Sequence, residues 1–289
     1  MTLSLVLKTA SRRLSAITDL PDQEAQWILA RCMSVSHSQL MASLSEVLSE
    51  PVLSAFEAMI SRRLDGEPLG LVLGDIEFMG HVYDVEPGVL LPRPETELLL
   101  QAALELVSEI QGPFYCLELG FGAGVLSIEM AIRCPNATVI AWDINPIAHE
   151  LALRNAARFQ VTGIEWILDD FFSYQHRFDS MMATPHPILV LSNPPYISAD
   201  QYQTLDPSVR DYEPQNALLA HENGLSYYRR LCDSFPADRV MMACEFGIGQ
   251  EKSLQRCLLA WGARGVVFGV DHKDIPRLFT STPSHTFLG

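Results

Sequence analysis

The sequence predicts an α/β protein with a mostly parallel sheet, preceded by a small helical domain and a β-hairpin linker. Three observations lead to this prediction. Apolar residues recur at helical spacing up to about residue 72, helices alternate with short apolar strands after residue 95, and an alternating stretch followed by prolines lies between the two regions. The 289 residues leave room for two domains. We therefore expect a helical domain at 1–74, a linker at 75–94 and an α/β domain at 95–289.

The helical domain is predicted from two apolar series and from helix-start signals. Asp19-Leu20-Pro21 and Ser49-Glu50-Pro51 are typical helix starts, since proline is tolerated in a first turn. Gly66 and Pro68 are expected to close the last helix. The residues at helical spacing are Leu3, Val6, Leu7, Ala10, Leu14 and Ile17, and then Leu53, Phe56, Ile60 and Leu64.

The linker is predicted from the stretch 76–85, which alternates around Gly80 and favours a hairpin. The proline-rich segment Leu91–Glu95 follows it and marks the domain boundary. The α/β domain then has predicted helices to about 109, at 125–133, at 146–159, from 224 and from 250, and predicted strands at 114–119, 138–143, 164–168, 187–192, 239–245 and 265–269. In such a sheet ligands bind beyond the carboxyl ends of the strands, so the loops after these strands are the candidate site.

Composition excludes several classes of protein. With 48% hydrophobic and 19% charged residues the chain is globular rather than disordered. It has no apolar run near the roughly 18 residues of a membrane span and no signal-peptide pattern, so we expect a cytoplasmic protein without a membrane partner. Six cysteines without a CxxC pair, and eight histidines without HxH or HxxxH spacing, predict reduced thiols and no metal.

The net charge of −15, from 20 basic and 35 acidic residues, would repel a phosphate backbone. Direct binding of nucleic acid is therefore not expected. The same charge suits a basic partner or a cationic cofactor, although an acidic surplus also serves solubility alone.

A glycine-rich loop follows the first predicted strand of the α/β domain. Gly120, Phe121, Gly122, Ala123 and Gly124 let the backbone turn tightly and approach a ligand. Val125 occupies the place where a dinucleotide fingerprint needs glycine or alanine, which points away from a pyrophosphate. Asp143 ends the next strand, 23 residues after Gly120, where a carboxylate can accept both ribose hydroxyls. These features predict a nucleoside-bearing ligand without phosphates, of which S-adenosylmethionine is the common one.

Asp170 and Phe171 follow the third strand and are candidates for holding an adenine. The acid would accept the exocyclic amine and the ring would stack on the base. An ordinary acidic turn with a core phenylalanine is the alternative.

The most specific signal is Asn193-Pro194-Pro195-Tyr196, which follows a fully apolar strand. The consecutive prolines keep the carbonyl of Pro194 out of a regular ladder, and Asn193 adds a side-chain carbonyl. Two such acceptors match the two hydrogens of one planar NH₂ group. Pinning both N–H bonds can turn the nitrogen toward an incoming methyl and stabilise the developing positive charge, while Tyr196 packs on the flat face of the group.

The sequence resembles the HemK/PrmC-type N5-glutamine methyltransferases, which modify the GGQ glutamine of peptide-chain release factors. Two positions depart from the usual pattern of that family, which has a small residue at 121 and aspartate at 118. The matching segments are Asp65–Pro68, Glu77–Phe78, Leu91–Glu97, Gly120–Gly124, Asp143, Asn155, Asp170–Phe172, Asn193–Tyr196, Val209–Pro214, Gly224–Arg230 and Glu245–Gly247.

The resemblance implies a Rossmann-like class I S-adenosylmethionine-dependent methyltransferase domain with a mostly parallel seven-stranded sheet. It implies cofactor contacts from the glycine loop, Asp143, Phe171 and Asn193, to which Asp170 is added as the candidate for the adenine. It implies substrate contacts from 193–196, with Asn193, Pro194 and Tyr196 at the reacting group. It implies release factors as partners, the helical domain as the part that recognises them, and a monomer.

Three other functions stay open. They are glutamine methylation of a ribosomal protein, adenine-N6 methylation of nucleic acid, and cofactor binding without catalysis. The long connection 197–223 predicts a lid over the substrate loop or a peripheral insertion, and Arg93 would pair either with that lid or with a surface glutamate.

Overall fold

The computed structural model describes residues 1–173 and 181–283. Contacts within the chain divide it into two compact units. The first unit holds Met1–Ile76, Val85–Pro87 and Asp206–Tyr212, and the second holds the rest of the chain. Each unit has a hydrophobic core of its own. The three-part division expected from the sequence stays a prediction.

The first unit is helical. Its helices are α1 (Leu3–Leu14), α2 (Pro21–Met33), α3 (His37–Ala42), α4 (Glu50–Leu64) and α5 (Leu69–Leu73). Helix α1 buries one stripe of apolar side chains at spacings of three and four residues, as its sequence pattern predicts. Gly66 and Pro68 do follow the end of α4, but the helices do not stop there, because Pro68 is the N-cap of α5.

A β-hairpin follows, formed by β1 (Asp75–Phe78) and β2 (His81–Asp84). The two turn residues Met79 and Gly80 have φ angles of 51° and 83°, as a tight hairpin turn requires. Strand β2 is fastened to helix α7 (Val125–Arg133), because His81 Nδ1 and the Tyr83 hydroxyl lie 2.6 and 2.7 Å from the buried Glu129 carboxylate. The hairpin predicted around Gly80 is confirmed.

The second unit is built on a sheet that contains seven strands within the described residues, in the order β5-β4-β3-β6-β7-β9-β8. Six run parallel to one another, and β9 is antiparallel to both of its neighbours. The strands are β3 (Phe114–Leu119), β4 (Ala137–Asp143), β5 (Glu165–Leu168), β6 (Ile188–Ser192), β7 (Val240–Glu245), β8 (Arg264–Val270) and β9 (Pro276–Thr282).

Helices connect and cover these strands. The long ones are α6 (Pro94–Val107), α7, α8 (Pro146–Arg158), α12 (Ser226–Ser234) and α13 (Glu251–Trp261). Short ones between β6 and α12 include α9 (Ala199–Gln203), α10 (Pro207–Arg210) and α11 (Gln215–Leu218), and an irregular turn with positive φ at Glu222 and Asn223 follows them. None of the helices in 1–173 and 181–283 is long and apolar enough to span a membrane.

The strand order creates a crevice between β3 and β6. From β3 the chain builds outward through β4 and β5, and then crosses to the other side of β3 to form β6. The loops that follow the carboxyl ends of β3 and β6 therefore lead away from each other, and ligands bind at such a point in open α/β sheets. The predicted mixed α/β fold with a mostly parallel sheet is confirmed.

One strand was missed. The last strand predicted from its own residues, at 265–269, lies within β8, and β9 has no predicted counterpart. Strand β9 begins at a proline and ends in Thr-Ser-Thr, so it lacks the continuous apolar run by which the other central strands are predicted.

Candidate active site

A cavity of about 420 Å³ opens at the carboxyl ends of the central strands of the second unit. Both the glycine loop after β3 and the Asn-Pro-Pro segment after β6 contribute to it, so the two strongest sequence signals meet at one site. Its lining residues come from 89–92, Thr96, 118–123, 125–126, 142–145, Ala148, 169–172, Asn193, Pro195, Pro214, 216–217, Tyr227 and Arg230.

The three glycines of the loop after β3 have different tasks. All have positive φ, with 80° at Gly120, 51° at Gly122 and 81° at Gly124. A Cβ on Gly120 would meet no atom within 4 Å, and Gly120 and Gly122 both line the cavity. Gly124 does not line the cavity. It packs against neighbouring residues instead, since a Cβ there would lie 3.0 Å from Ala152 and from Trp166. The first two keep space free for a ligand, and the third lets α7 pack closely.

Phe121, the bulky departure in this loop, lines the cavity with its side chain only 2% exposed. Its ring packs edge-on against Trp166 at a centroid distance of 4.9 Å. Aromatic packing therefore accommodates the phenylalanine beside the two glycines that face the cavity.

Asp143 at the end of β4 holds the glycine loop in place. One carboxylate oxygen accepts the Gly122 N–H at 2.9 Å, and the other accepts the Asn145 N–H at 2.9 Å. Burial raises the pKa of Asp143, and these backbone hydrogen bonds act against that rise. The backbone N–H of Ile144 also acts on this carboxylate, which keeps some acceptor capacity for a ligand.

The segment after β5 places its two phenylalanines differently. Phe171 is 4% exposed and stacks on Phe235 in the core, with centroids 5.5 Å apart, while still bordering the cavity. Phe172 is only partly buried, and the guanidinium of Arg230 lies 3.8 Å from its ring centroid. Asp170 lies at the same wall, 3.5 Å from Arg230. Phe172 thus presents the more accessible ring of the two.

Asn193 and Pro195 line the cavity, whereas Pro194 and Tyr196 do not. The segment leaves β6 where Ser192 Oγ donates to the carbonyl of Leu119 at 2.6 Å, so the ends of β3 and β6 are joined. Asn193 Nδ2 donates to Thr96 Oγ1 at 3.2 Å. Among the described residues, no protein donor contacts Asn193 Oδ1.

The carboxyl end of the segment is held by the buried Gln250. Its Nε2 donates to the carbonyls of Tyr196 at 2.8 Å and Asn223 at 3.1 Å, and its Oε1 accepts the Gly247 N–H at 2.9 Å. Gly224 allows this arrangement, because a Cβ there would lie 2.2 Å from the Tyr196 carbonyl oxygen. Burial raises the pKa of Tyr196 above its ordinary value, so its phenol is neutral at pH 7.

Arg93 pairs with Glu213 in the connection after β6. Glu213 is 5% exposed, and its burial raises its pKa against the effect of Arg93. Pro214, Asn216 and Ala217 follow directly and line the cavity. The pairing of Arg93 with this connection was one of the two alternatives that the sequence left open.

Sequence reasoning gave no role to Thr96, Tyr227 or Arg230, all of which line the cavity. Thr96 lies in the first turn of α6, within the matching segment 91–97. Tyr227 and Arg230 are three residues apart on α12 and so lie on one face of that helix. That spacing was a usable signal, but which face of α12 meets the cavity depends on the tertiary fold.

The strand order, the glycine loop after β3 and the Asn-Pro-Pro-Tyr segment after β6 define a methyltransferase. Two family models agree with this class. Residues 6–74 match the PrmC N-terminal domain, and residues 96–206 match the methyltransferase small domain.

Individual relatives extend the match over most of the chain. The release factor glutamine methyltransferase of Bordetella pertussis is 32% identical over 93% of this chain and 98% of its own length. That of Fusobacterium nucleatum is 32% identical over 82% of this chain, and the match spans 66% of the relative. The chain belongs to the release factor glutamine methyltransferase family.

A solved structure shows the same fold at low identity. The hMettl16 catalytic domain, crystallised in complex with MAT2A 3'UTR hairpin 6, superposes with a TM-score of 0.56 at 13% identity and covers 82% of this chain and 84% of that one. At this identity the likeness speaks to the fold alone.

Proposed function

We propose that this protein transfers a methyl group from S-adenosylmethionine to the side-chain nitrogen N5 of the glutamine in the GGQ motif of peptide-chain release factors. One observation carries the proposal. In a member of this family, Asn193 opens onto the same cavity as the glycine loop and Asp143. A carboxamide held by Asn193 would thus lie beside the cofactor.

The cavity fits the cofactor in shape and in chemistry. The space beside Gly120 is open, Asp143 retains acceptor capacity for ribose hydroxyls, and Asp170 and the aromatic wall at 171–172 suit an adenine. Phe121 and Ala123 border the cavity beside the glycines. When bound, S-adenosylmethionine supplies an electrophilic methyl group on a sulfonium. The acidic side chains that line the cavity complement that positive charge.

The protein's task is to orient a poor nucleophile. We propose that Asn193 Oδ1 and the Pro194 carbonyl accept the two N–H bonds of the substrate carboxamide. This grip directs the nitrogen toward the methyl group and stabilises the positive charge that develops on it. Pro195 forms part of the cavity wall. Tyr196 does not line the cavity itself, and in this proposal its neutral phenol would exclude water from the substrate rather than accept a proton. The extra proton leaves after transfer, so no general base is required beforehand.

In this proposal the three parts of the chain have different roles. Residues 1–74 would recognise the release factor, 75–94 would link, and 95–289 would carry out the transfer. The connection 197–223 would act as a lid, held to the linker through Arg93 and Glu213. The protein would act as a monomer in the cytoplasm, without direct nucleic-acid contacts.

The test is incubation of the protein with methyl-labelled S-adenosylmethionine and a purified release factor, followed by peptide mapping. The matched control is the same release factor with its GGQ glutamine replaced by alanine. We expect one labelled methyl on the GGQ glutamine and none on the control. Label that persists on the control would overturn the substrate assignment, as would label that enters a ribosomal protein or nucleic acid, supplied in separate reactions, in place of the release factor.

A further inference from the structure

Two asparagines at helix α8 bind backbone groups of the linker and of the loops at the cavity. Asn155 lies inside the helix and is fully buried. Asn145 is the N-cap of the same helix and borders the cavity. Since a buried amide needs hydrogen-bond partners, the groups that these side chains bind show what they hold in place.

Asn155 joins the glycine loop to the end of β2. Its Nδ2 donates to the carbonyl of Ala123 at 2.9 Å and to the carbonyl of Asp84 at 3.1 Å. Its Oδ1 accepts the Asp84 N–H at 2.9 Å. Because a backbone carbonyl only accepts and a backbone N–H only donates, these three bonds allow a single orientation of the amide. One buried side chain thus holds the linker backbone and the glycine loop together.

Asn145 makes a second connection, at the loop after β4. Its Nδ2 donates to the Gly88 carbonyl at 2.7 Å, and its Oδ1 caps α8 by accepting the Ile147 N–H at 3.0 Å. Its own N–H donates to Asp143 at 2.9 Å. Asn145 therefore ties the linker to the acid that is expected to bind the ribose.

The linker residues that follow Gly88 form part of the cavity wall. Residues 89–92 all line the cavity, and the side chains of Val89 and Leu91 are 3% and 4% exposed. A Cβ on Gly122 would lie 3.8 Å from the side chain of Val89. The linker and the glycine loop are thus neighbours in the wall, so a shift of either would change the space left for a ligand.

We propose that Asn145 and Asn155 are positioning residues for the cofactor, which fasten the linker to the loops after β3 and β4 and so set the shape of the S-adenosylmethionine site. Neither contacts the reacting atoms in this scheme. Asn155 acts through Ala123, and Asn145 acts through Gly88 and Asp143. The inference rests on the proposed function for the identity of the ligand, but both connections are made by the protein alone.

A single type of substitution, asparagine to serine, tests both residues and has a matched control. Asn155→Ser and Asn145→Ser each remove an Nδ2 donor, and the new hydroxyl at 145 can still cap α8, since serine caps a helix as well as asparagine does. Asn136→Ser is the control. Its Nδ2 also donates to two backbone carbonyls, those of Ile110 at 3.2 Å and Gly112 at 2.8 Å, but Asn136 does not line the cavity.

We expect Asn155→Ser and Asn145→Ser each to raise the Kd for S-adenosylmethionine about tenfold, because the wall is no longer fixed before the ligand binds. Asn136→Ser should leave that Kd within about twofold. Calorimetry measures these constants at a temperature at which circular dichroism shows each variant to be folded. Asn145 is only half-buried, so its variant keeps the test decisive if Asn155→Ser fails to fold.

The rate separates positioning of the cofactor from a general loss of structure. At saturating S-adenosylmethionine, Asn145→Ser should retain kcat on a release factor within about threefold, since the segment 193–196 is untouched. Its KM for the cofactor should rise with the Kd.

A second readout uses the protein without cofactor. The N–H groups of Gly122 and Gly124, on either side of Ala123, make hydrogen bonds of 2.9 and 2.7 Å. Because Asn155 holds the carbonyl between them, both amides should exchange with solvent about tenfold faster in Asn155→Ser. In Asn136→Ser they should exchange as in the natural protein.

A Kd that is unchanged in both site variants, or raised equally in all three variants, would overturn the inference. Exchange at Gly122 and Gly124 that Asn155→Ser leaves unaltered would also overturn it. A natural protein that binds S-adenosylmethionine but methylates no release factor would overturn the proposed function, and a raised Kd in the two site variants alone would leave the positioning role standing.

Discussion

Asn193 is the residue on which the chemistry depends most. Replacing it by alanine removes one of the two acceptors that would hold the substrate nitrogen, and losing one such group costs about 10²–10³ in rate. We expect Asn193→Ala to lower kcat on a release factor by that factor, measured with labelled S-adenosylmethionine. Cofactor binding should weaken much less, since Gly120, Gly122 and Asp143 remain. A variant that methylates at the natural rate would contradict the assignment.

The buried carboxyl group of Glu118 is expected to affect the stability of the protein rather than its rate of catalysis. Burial raises its pKa from 4.5 to about 8, although the Ser127 hydroxyl donates to it. Because the folded pKa is the higher one, this group favours folding below pH 4.5, and that contribution is lost as the pH rises through 8.

Glu118→Gln should therefore be more stable than the natural protein at alkaline pH. The amide avoids the buried charge and can still accept from Ser127. About 1 kcal/mol of gain would raise Tm by roughly 2–4 °C. Thermal unfolding at pH 5 and pH 9 measures it, and a Tm difference that does not grow with pH would argue against a raised pKa.

Among the elements, the loop after β3 holds a glycine, Gly120, that can be compared with Gly163 to separate the need for ligand space from the need for a positive φ angle. Gly120 and Gly163 have φ angles of 80° and 93°, and at both a Cβ would meet no atom within 4 Å. Only Gly120 lines the cavity. Alanine at either position carries a similar backbone strain, of the order of 1 kcal/mol.

We expect Gly120→Ala to raise the Kd for S-adenosylmethionine about tenfold or more, because the new methyl group occupies ligand space. Gly163→Ala should leave that Kd unchanged while losing comparable stability. Calorimetry and thermal unfolding of the pair check this, and equal Kd values for both variants would show that the cofactor lies elsewhere.

The side chain of Gln250 holds the carboxyl end of the Asn193–Tyr196 segment after β6. Leucine at this position leaves the carbonyls of Tyr196 and Asn223 and the N–H of Gly247 without their partner. We expect Gln250→Leu to lose about 1–3 kcal/mol of stability and about tenfold in kcat, because the substrate segment is no longer held. Gln255→Leu, at an exposed position of α13, is the matched control and should change neither quantity.

For the molecule as a whole, most of the sheet could be predicted from the sequence, because buried parallel strands are continuous apolar runs. The strand predicted at 114–119 is β3, residue for residue, and the one at 187–192 differs from β6 by a single residue. Strand β9 escaped prediction because its polar residues carry no such signal.

The site could be predicted in part for the same reason. The glycine loop, Asp143 and the Asn193 segment each lie at the end of a predicted strand, so the local sequence pattern is enough to identify them. Thr96 contacts Asn193, which is 97 positions away in the chain, and Gln250 contacts Tyr196, which is 54 positions away. Only the folded sheet brings these residues together. No local pattern encodes such partnerships.

We propose above that this chain methylates a release-factor glutamine. The most direct measurement is the intact mass of release factors purified from cells with and without this protein, followed by mapping of the GGQ peptide. We expect factors from cells that contain the protein to be heavier by one CH₂ at that glutamine, and factors from cells that lack it to be unmodified. Identical masses, or a methyl group at any other residue, would show that the protein does not methylate this glutamine.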